Sequence, residues 1–182
     1  MSDVPFVVRS QDADHPFFLG VYMSGWAALE SKSGFDPSAT QAGYGDPDFV
    51  EMVTPSQWLS NYVFFTDPTY PETNLVFVRQ KTDGIFPDVV LDCAGVLGGW
   101  LPIDSAGDFE VTRVDLVRHD FEPQGNCDNG RHRASSQAPF GLTVWGWGSP
   151  ETNPGSGAVS YGYPAGLTAA SINTVQVVIP PQ

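Results

Sequence analysis

The side chains best placed to do chemistry in this sequence are aromatic and acidic rather than nucleophilic. In Thr143-Val-Trp145-Gly-Trp147-Gly the two tryptophans fall on one face of a strand, and in Ala158-Val-Ser-Tyr161-Gly-Tyr163 the two tyrosines do the same. A hairpin turning near Asn153 sets Trp145 opposite Tyr161 and Trp147 opposite Val159. Trp145, Trp147, Tyr161 and Tyr163 then share one face, while Gly146, Gly148 and Gly162 leave the other nearly bare. An aromatic platform of this kind, with Asn and Asp nearby, stacks and hydrogen-bonds sugar rings. The competing reading is that the platform is core and the glycines mark a close approach of sheets.

Acidic side chains offer a second chemistry. The pairs Asp12/Asp14 and Asp46/Asp48, and the turn carrying Asn126, Asp128 and Asn129, could present oxygens to calcium. None has the spacing of an EF-hand loop closed by a bidentate Glu, and solvated turn carboxylates are the plainer reading. Glycoside hydrolysis would need two acids facing each other across a cleft, for which Asp104, Asp108, Asp115 and Asp120 are nominal candidates. The three histidines, His15, His119 and His132, are scattered and read as surface or structural residues. The sequence has no G-x-S-x-G elbow, H-E-x-x-H pair, P-loop or G-x-G-x-x-G turn, so serine-nucleophile, metalloprotease, nucleotide-hydrolase and dinucleotide-enzyme chemistries lack support. We expect no cofactor, with calcium as the one candidate ion.

The elements that must hold these residues are strands. Nineteen glycines and 16 prolines punctuate the chain, and 41% of its 182 residues are hydrophobic, too many for disorder. Strand signals occur at Val4–Arg9, Phe17–Met23, Asp48–Val53, Tyr62–Thr66, Leu75–Gln80, Val89–Cys93, Gly107–Arg118, Phe140–Trp147, Ala158–Tyr163 and Thr174–Ile179. The first two form a prospective hairpin, as do Tyr62–Thr66 and Leu75–Gln80. Along Phe109–Arg118 the two faces exchange polarity midway, which predicts a bulge or a turn near Thr112–Val114. One short helix fits Thr54-Pro-Ser-Gln-Trp-Leu, where Thr can cap and Pro can open the first turn. The fold class is all-β, a β-sandwich or jelly-roll-like domain over 1–182 with at most one short helix. Residues 167–182 supply the last strand and the exit to a linker. The Gly-rich Trp26–Asp48 stretch is longer than a usual connection and reads as functional or mobile.

Charge and cysteines narrow the setting. A net charge of −13 disfavours nucleic acid and anionic membrane surfaces as partners. No apolar run is long enough to cross a bilayer. The Met-Ser-Asp-Val-Pro start has neither region of a signal peptide, so the chain reads as cytosolic or as part of a longer exported protein. Cys93 ends an apolar run and Cys127 sits in a polar turn, away from clustered His, which argues against zinc. Paired as a disulfide they would close a loop contributing about 3–4 kcal/mol; the alternative is two unrelated thiols.

The run Gly130-Arg-His-Arg-Ala-Ser-Ser-Gln-Ala-Pro-Phe-Gly-Leu-Thr-Val-Trp-Gly-Trp, followed by Ser-Tyr-Gly-Tyr-Pro-Ala-Gly, resembles the closing motif of the IgGFc-binding protein N-terminal domain family. Tyr44-Gly-Asp-Pro-Asp-Phe-Val and Thr54-Pro-Ser-Gln-Trp-Leu-Ser-Asn-Tyr resemble it too. The likeness runs from about Val4 to Gly166 and covers the C-terminal portion of that domain. It implies an all-β extracellular binding or adhesion module without enzymatic activity, recognising a cell-surface or mucus glycan or glycoprotein beside neighbouring modules of a longer chain. A structural spacer without its own ligand is the alternative. Gly130, His132, Pro139, Phe140 and Gly141 match the family pattern and read as fold determinants; the resemblance supplies no ligand contacts.

Overall fold

The computed structural model describes residues 5–12, 14–23, 45–149 and 159–169. They form eleven strands: β1 (Gly20–Met23), β2 (Asp48–Glu51), β3 (Leu59–Thr66), β4 (Glu72–Gln80), β5 (Val89–Leu91), β6 (Gly95–Val96), β7 (Leu101–Pro102), β8 (Phe109–Arg118), β9 (Glu122–Pro123), β10 (Gly130–Trp147) and β11 (Ser160–Pro164). The expected short helix is a single 3₁₀ turn, Pro55–Gln57. Proline opens it, but Thr54 makes no side-chain cap. The expected strand at Thr174–Ile179 and the hairpin turn near Asn153 lie outside the described residues, as does most of the Trp26–Asp48 stretch.

All ladders are antiparallel, and β10 organises them. Its first half, Gly130–Ser136, lies between β3 and β5; its second half, Phe140–Trp147, lies between β11 and β4. The register shifts between Ser135 and Phe140, where Pro139 withholds a donor. One strand thereby serves both leaves of a curled sandwich. The main core fills the fold with Tyr62 and Phe64 from β3, Leu75 and Phe77 from β4, Val89 and Leu91 from β5, Leu116 from β8, and Phe140, Leu142 and Val144 from β10. On the opposite face of β10's second half, the β1–β2 ribbon packs Met23 and Val50 against Trp145.

Two expected pairings and the position of one bulge are corrected. Of the expected Val4–Arg9 strand, the described part, 5–9, does not pair with Phe17–Met23: Pro5 lacks a donor, Phe6 and Val8 stay exposed, and β1 pairs with β2, with which it shares the inward residues Met23 and Val50. β3 and β4 are not partners, because each pairs with β10. The bulge in β8 falls later than Thr112–Val114. Asn74 faces Asp115 and Thr73 faces Val117, so Leu116 is the extra residue and both it and Val117 are buried.

Candidate functional site

The aromatic hairpin forms with a register one residue away from the expected one. Trp145 faces Gly162, Gly146 faces Tyr161, Val144 faces Tyr163 and Trp147 faces Ser160. Cross-strand partners share a face, so a one-residue change sends the tyrosines to the side opposite the tryptophans. The single four-ring platform is corrected to two stacked pairs. Trp145 and Trp147 stack with centroids 6.4 Å apart beneath the β1–β2 ribbon, and Tyr161 and Tyr163 stack at 6.2 Å against the main core.

Each pair lies over a glycine of the facing strand. A Cβ on Gly146 would sit 2.1 Å from the Tyr161 ring, and one on Gly162 would sit 2.6 Å from Trp145 and from Val50. The tyrosine hydroxyls are also engaged by backbone groups: Tyr163 donates to the Phe65 carbonyl, and the Tyr161 hydroxyl accepts from the Asp67 amide at 3.3 Å. Burial pushes the Tyr161 phenol up to about 12, and raises Tyr163 as well. The four rings fasten β11 between the two cores.

Around the cysteines the chain is braced twice. Cys93 and Cys127 form a disulfide, Cα–Cα 4.9 Å. Immediately beside them, Asp92 and Asp128 meet the two nitrogens of buried His132: Nδ1 lies 3.1 Å from Asp92 Oδ1, and Nε2 donates to the Asp128 carbonyl at 2.7 Å. Gly130 holds a φ of 124°, open only to glycine, which lets the strand begin directly after that turn. Pro139 is exposed at the register shift; Phe140 is buried edge-on to Tyr62; and Gly141 lies under Trp58, where a Cβ would come within 2.8 Å of the indole.

The acidic candidates lie apart. Asp12 accepts from the Asp14 amide and contacts His15, whereas Asp48 accepts from the Phe49 amide and Asp46 donates its own amide to Ser160. Among the described residues one group of three potential metal ligands is close-set, Asp92, Cys93 and His132, and there the sulfur is committed to the disulfide. Asp104 accepts from the amides of Asp108 and Phe109 before β8, while Asp115 pairs with Arg118 and the Asp120 amide donates to Glu72 toward the other end. An apolar cavity of about 40 Å³ lies between Trp58, Tyr62, Val76 and Gly141. Small-molecule pockets run to ~300–1,000 Å³, so it has no room for a sugar ring.

A different surface was hidden in the sequence. The outward faces of β3 and of β10's first half carry Phe65 beside Arg131, Val63 beside Arg133 and Asn61 beside Ser135, continued by Val90 and Val96. Phe65 and Val63 are 57% and 64% exposed. Sequence reasoning missed this face because Gly130–Pro139 does not read as a strand: its inward residues are His132, Ala134 and Ala138, its outward ones mostly polar. The available signal was the alternation of arginine with His132 and Ala134.

No helix among the described residues is long and apolar enough to cross a membrane. No curated protein and no solved structure matches the chain. The family match covers residues 1–146 and ends inside β10, short of the Ser160–Gly166 segment that also carried the resemblance. With the family described as IgGFc binding protein matching most of its length, the chain belongs to the IgGFc-binding family.

Proposed function

We propose that the chain is a non-catalytic extracellular recognition module that binds a glycan or glycoprotein through an open sheet face. The observation that carries this reading is the outward surface of β3 and β10, where Val63 and Phe65 stand in water beside Arg131 and Arg133 on a firmly paired sheet. Exposed apolar groups rimmed by polar ones are typical of interaction surfaces. The family's description, which names binding to IgG Fc, supports recognition over catalysis, and the disulfide suits an oxidising compartment. Residues 1–182 act in this reading as one domain beside neighbouring modules. Trp145, Trp147, Tyr161 and Tyr163 serve the site by fixing the hairpin.

The spacer alternative has one observation in its favour: Trp147 and Tyr163 are half-buried and packed against the two cores. An array of glycans and secreted glycoproteins, probed with the oxidised protein, separates the two. A saturable hit weakened by Phe65→Ala at unchanged Tm supports recognition through this face. A blank array transfers the reading to the spacer.

A further inference from the structure

We infer that the β3–β10 face is a site for an anionic saccharide, one carrying sulfate or carboxylate groups on successive sugars. The inference rests on the recognition reading above and specifies its ligand class. The chain has eight Lys and Arg residues against 21 acids, so two arginines side by side on one face are an exception to its overall charge. Arg9, Arg79 and Arg118 are each paired with a carboxylate. Among the described residues, neither the Arg131 nor the Arg133 guanidinium has an ion pair or a hydrogen bond.

The geometry suits a charged sugar chain better than an acidic peptide. Alternate residues of a strand stand about 6.5–7 Å apart on the same face, so the two guanidiniums form a short row along β10. Each can grip a sulfate or carboxylate with two parallel N–H donors. Phe65 lies directly across from Arg131 and offers a ring for the apolar face of a pyranose, while Asn61 and Ser135, at the other end, offer groups for hydroxyls. A peptide would use the backbone of an edge strand, whereas these groups all point from the sheet face. Asp92, next to Arg133 in the ladder, has its carboxylate engaged by the Arg133 amide and by His132, which leaves the guanidinium for a ligand. The net charge of −13 repels polyanions at long range, so binding here depends on these local groups rather than on a general basic field.

The test is titration of the full oxidised chain with a heparin hexasaccharide, followed by biolayer interferometry and by NMR of the arginine side chains. The expected result is saturable binding with shifts confined to Arg131 and Arg133, weakened roughly tenfold or more in Arg131→Gln/Arg133→Gln. It should be weakened several-fold in Phe65→Ala and left unchanged in Arg113→Gln/Arg118→Gln, which removes the same charge from β8. All three variants alter exposed side chains, and unchanged Tm confirms that they fold. Absence of binding, equal loss in the β8 variant, or equal affinity for a polyglutamate peptide overturns the inference. A neutral glycan or protein hit on the array that persists in Arg131→Gln/Arg133→Gln would overturn the anionic-saccharide site while leaving the recognition reading standing.

Discussion

At the scale of single residues, the hairpin is held by aromatic rings occupying the space of absent side chains. Gly146→Ala would drive a methyl into the Tyr161 ring and Gly162→Ala one into Trp145 and Val50. Each substitution is expected to destabilise the protein by about 1–3 kcal/mol, the usual cost of overpacking, measured by urea unfolding. Wild-type stability in both variants would mean the rings have room to move. Strand parity alone correctly put Trp145 with Trp147 and Tyr161 with Tyr163. What parity leaves open is the register between the two strands, which depends on the path of the turn joining them. A single step decides whether four rings share a face or divide two and two.

Among the elements, β10 was the least legible and matters most. Its second half, Phe140–Trp147, announces itself through apolar alternation; its first half buries a histidine and two alanines and so carries no hydrophobic stripe. The outward face of Arg131 and Arg133 was lost with it. By contrast, the Cys93–Cys127 disulfide, which the sequence left open against two unrelated thiols, is present in the structure. Reduction should cost about 3–4 kcal/mol in the chain-entropy model for a separation of 34 residues. Because His132 ties the residues next to both cysteines, His132→Ala and Cys93→Ser/Cys127→Ser should be non-additive. A double-mutant cycle is expected to give a coupling of about 0.5–3 kcal/mol, and additive losses would separate the two braces.

Taken whole, the protein keeps several phenols out of water. Tyr62, Tyr161 and Tyr163 are all raised chiefly by burial, and Tyr161 reaches about 12. A raised folded value means that the unfolded chain loses its phenolic protons first. Stability is therefore retained below the ordinary tyrosine value of about 10 and falls as pH rises beyond it. Thermal melts across this range should show Tm dropping steeply above about pH 10, less steeply in Tyr161→Phe. A flat profile would mean these hydroxyls are solvated. The all-β class was legible at this scale because glycine, proline and aromatic content leave few alternatives; the topology was not, because it depends on which distant strands β10 brings together.

That dependence reaches back to synthesis. β3, β4 and β5 are complete by residue 91, yet all three take their central partner from residues 130–147. At ~5–20 residues per second, the nascent chain spends several seconds with those strand edges unmatched. Until β10 emerges these three strands lack the partner they share, and their open edges are exposed to wrong partners if the ribosome pauses.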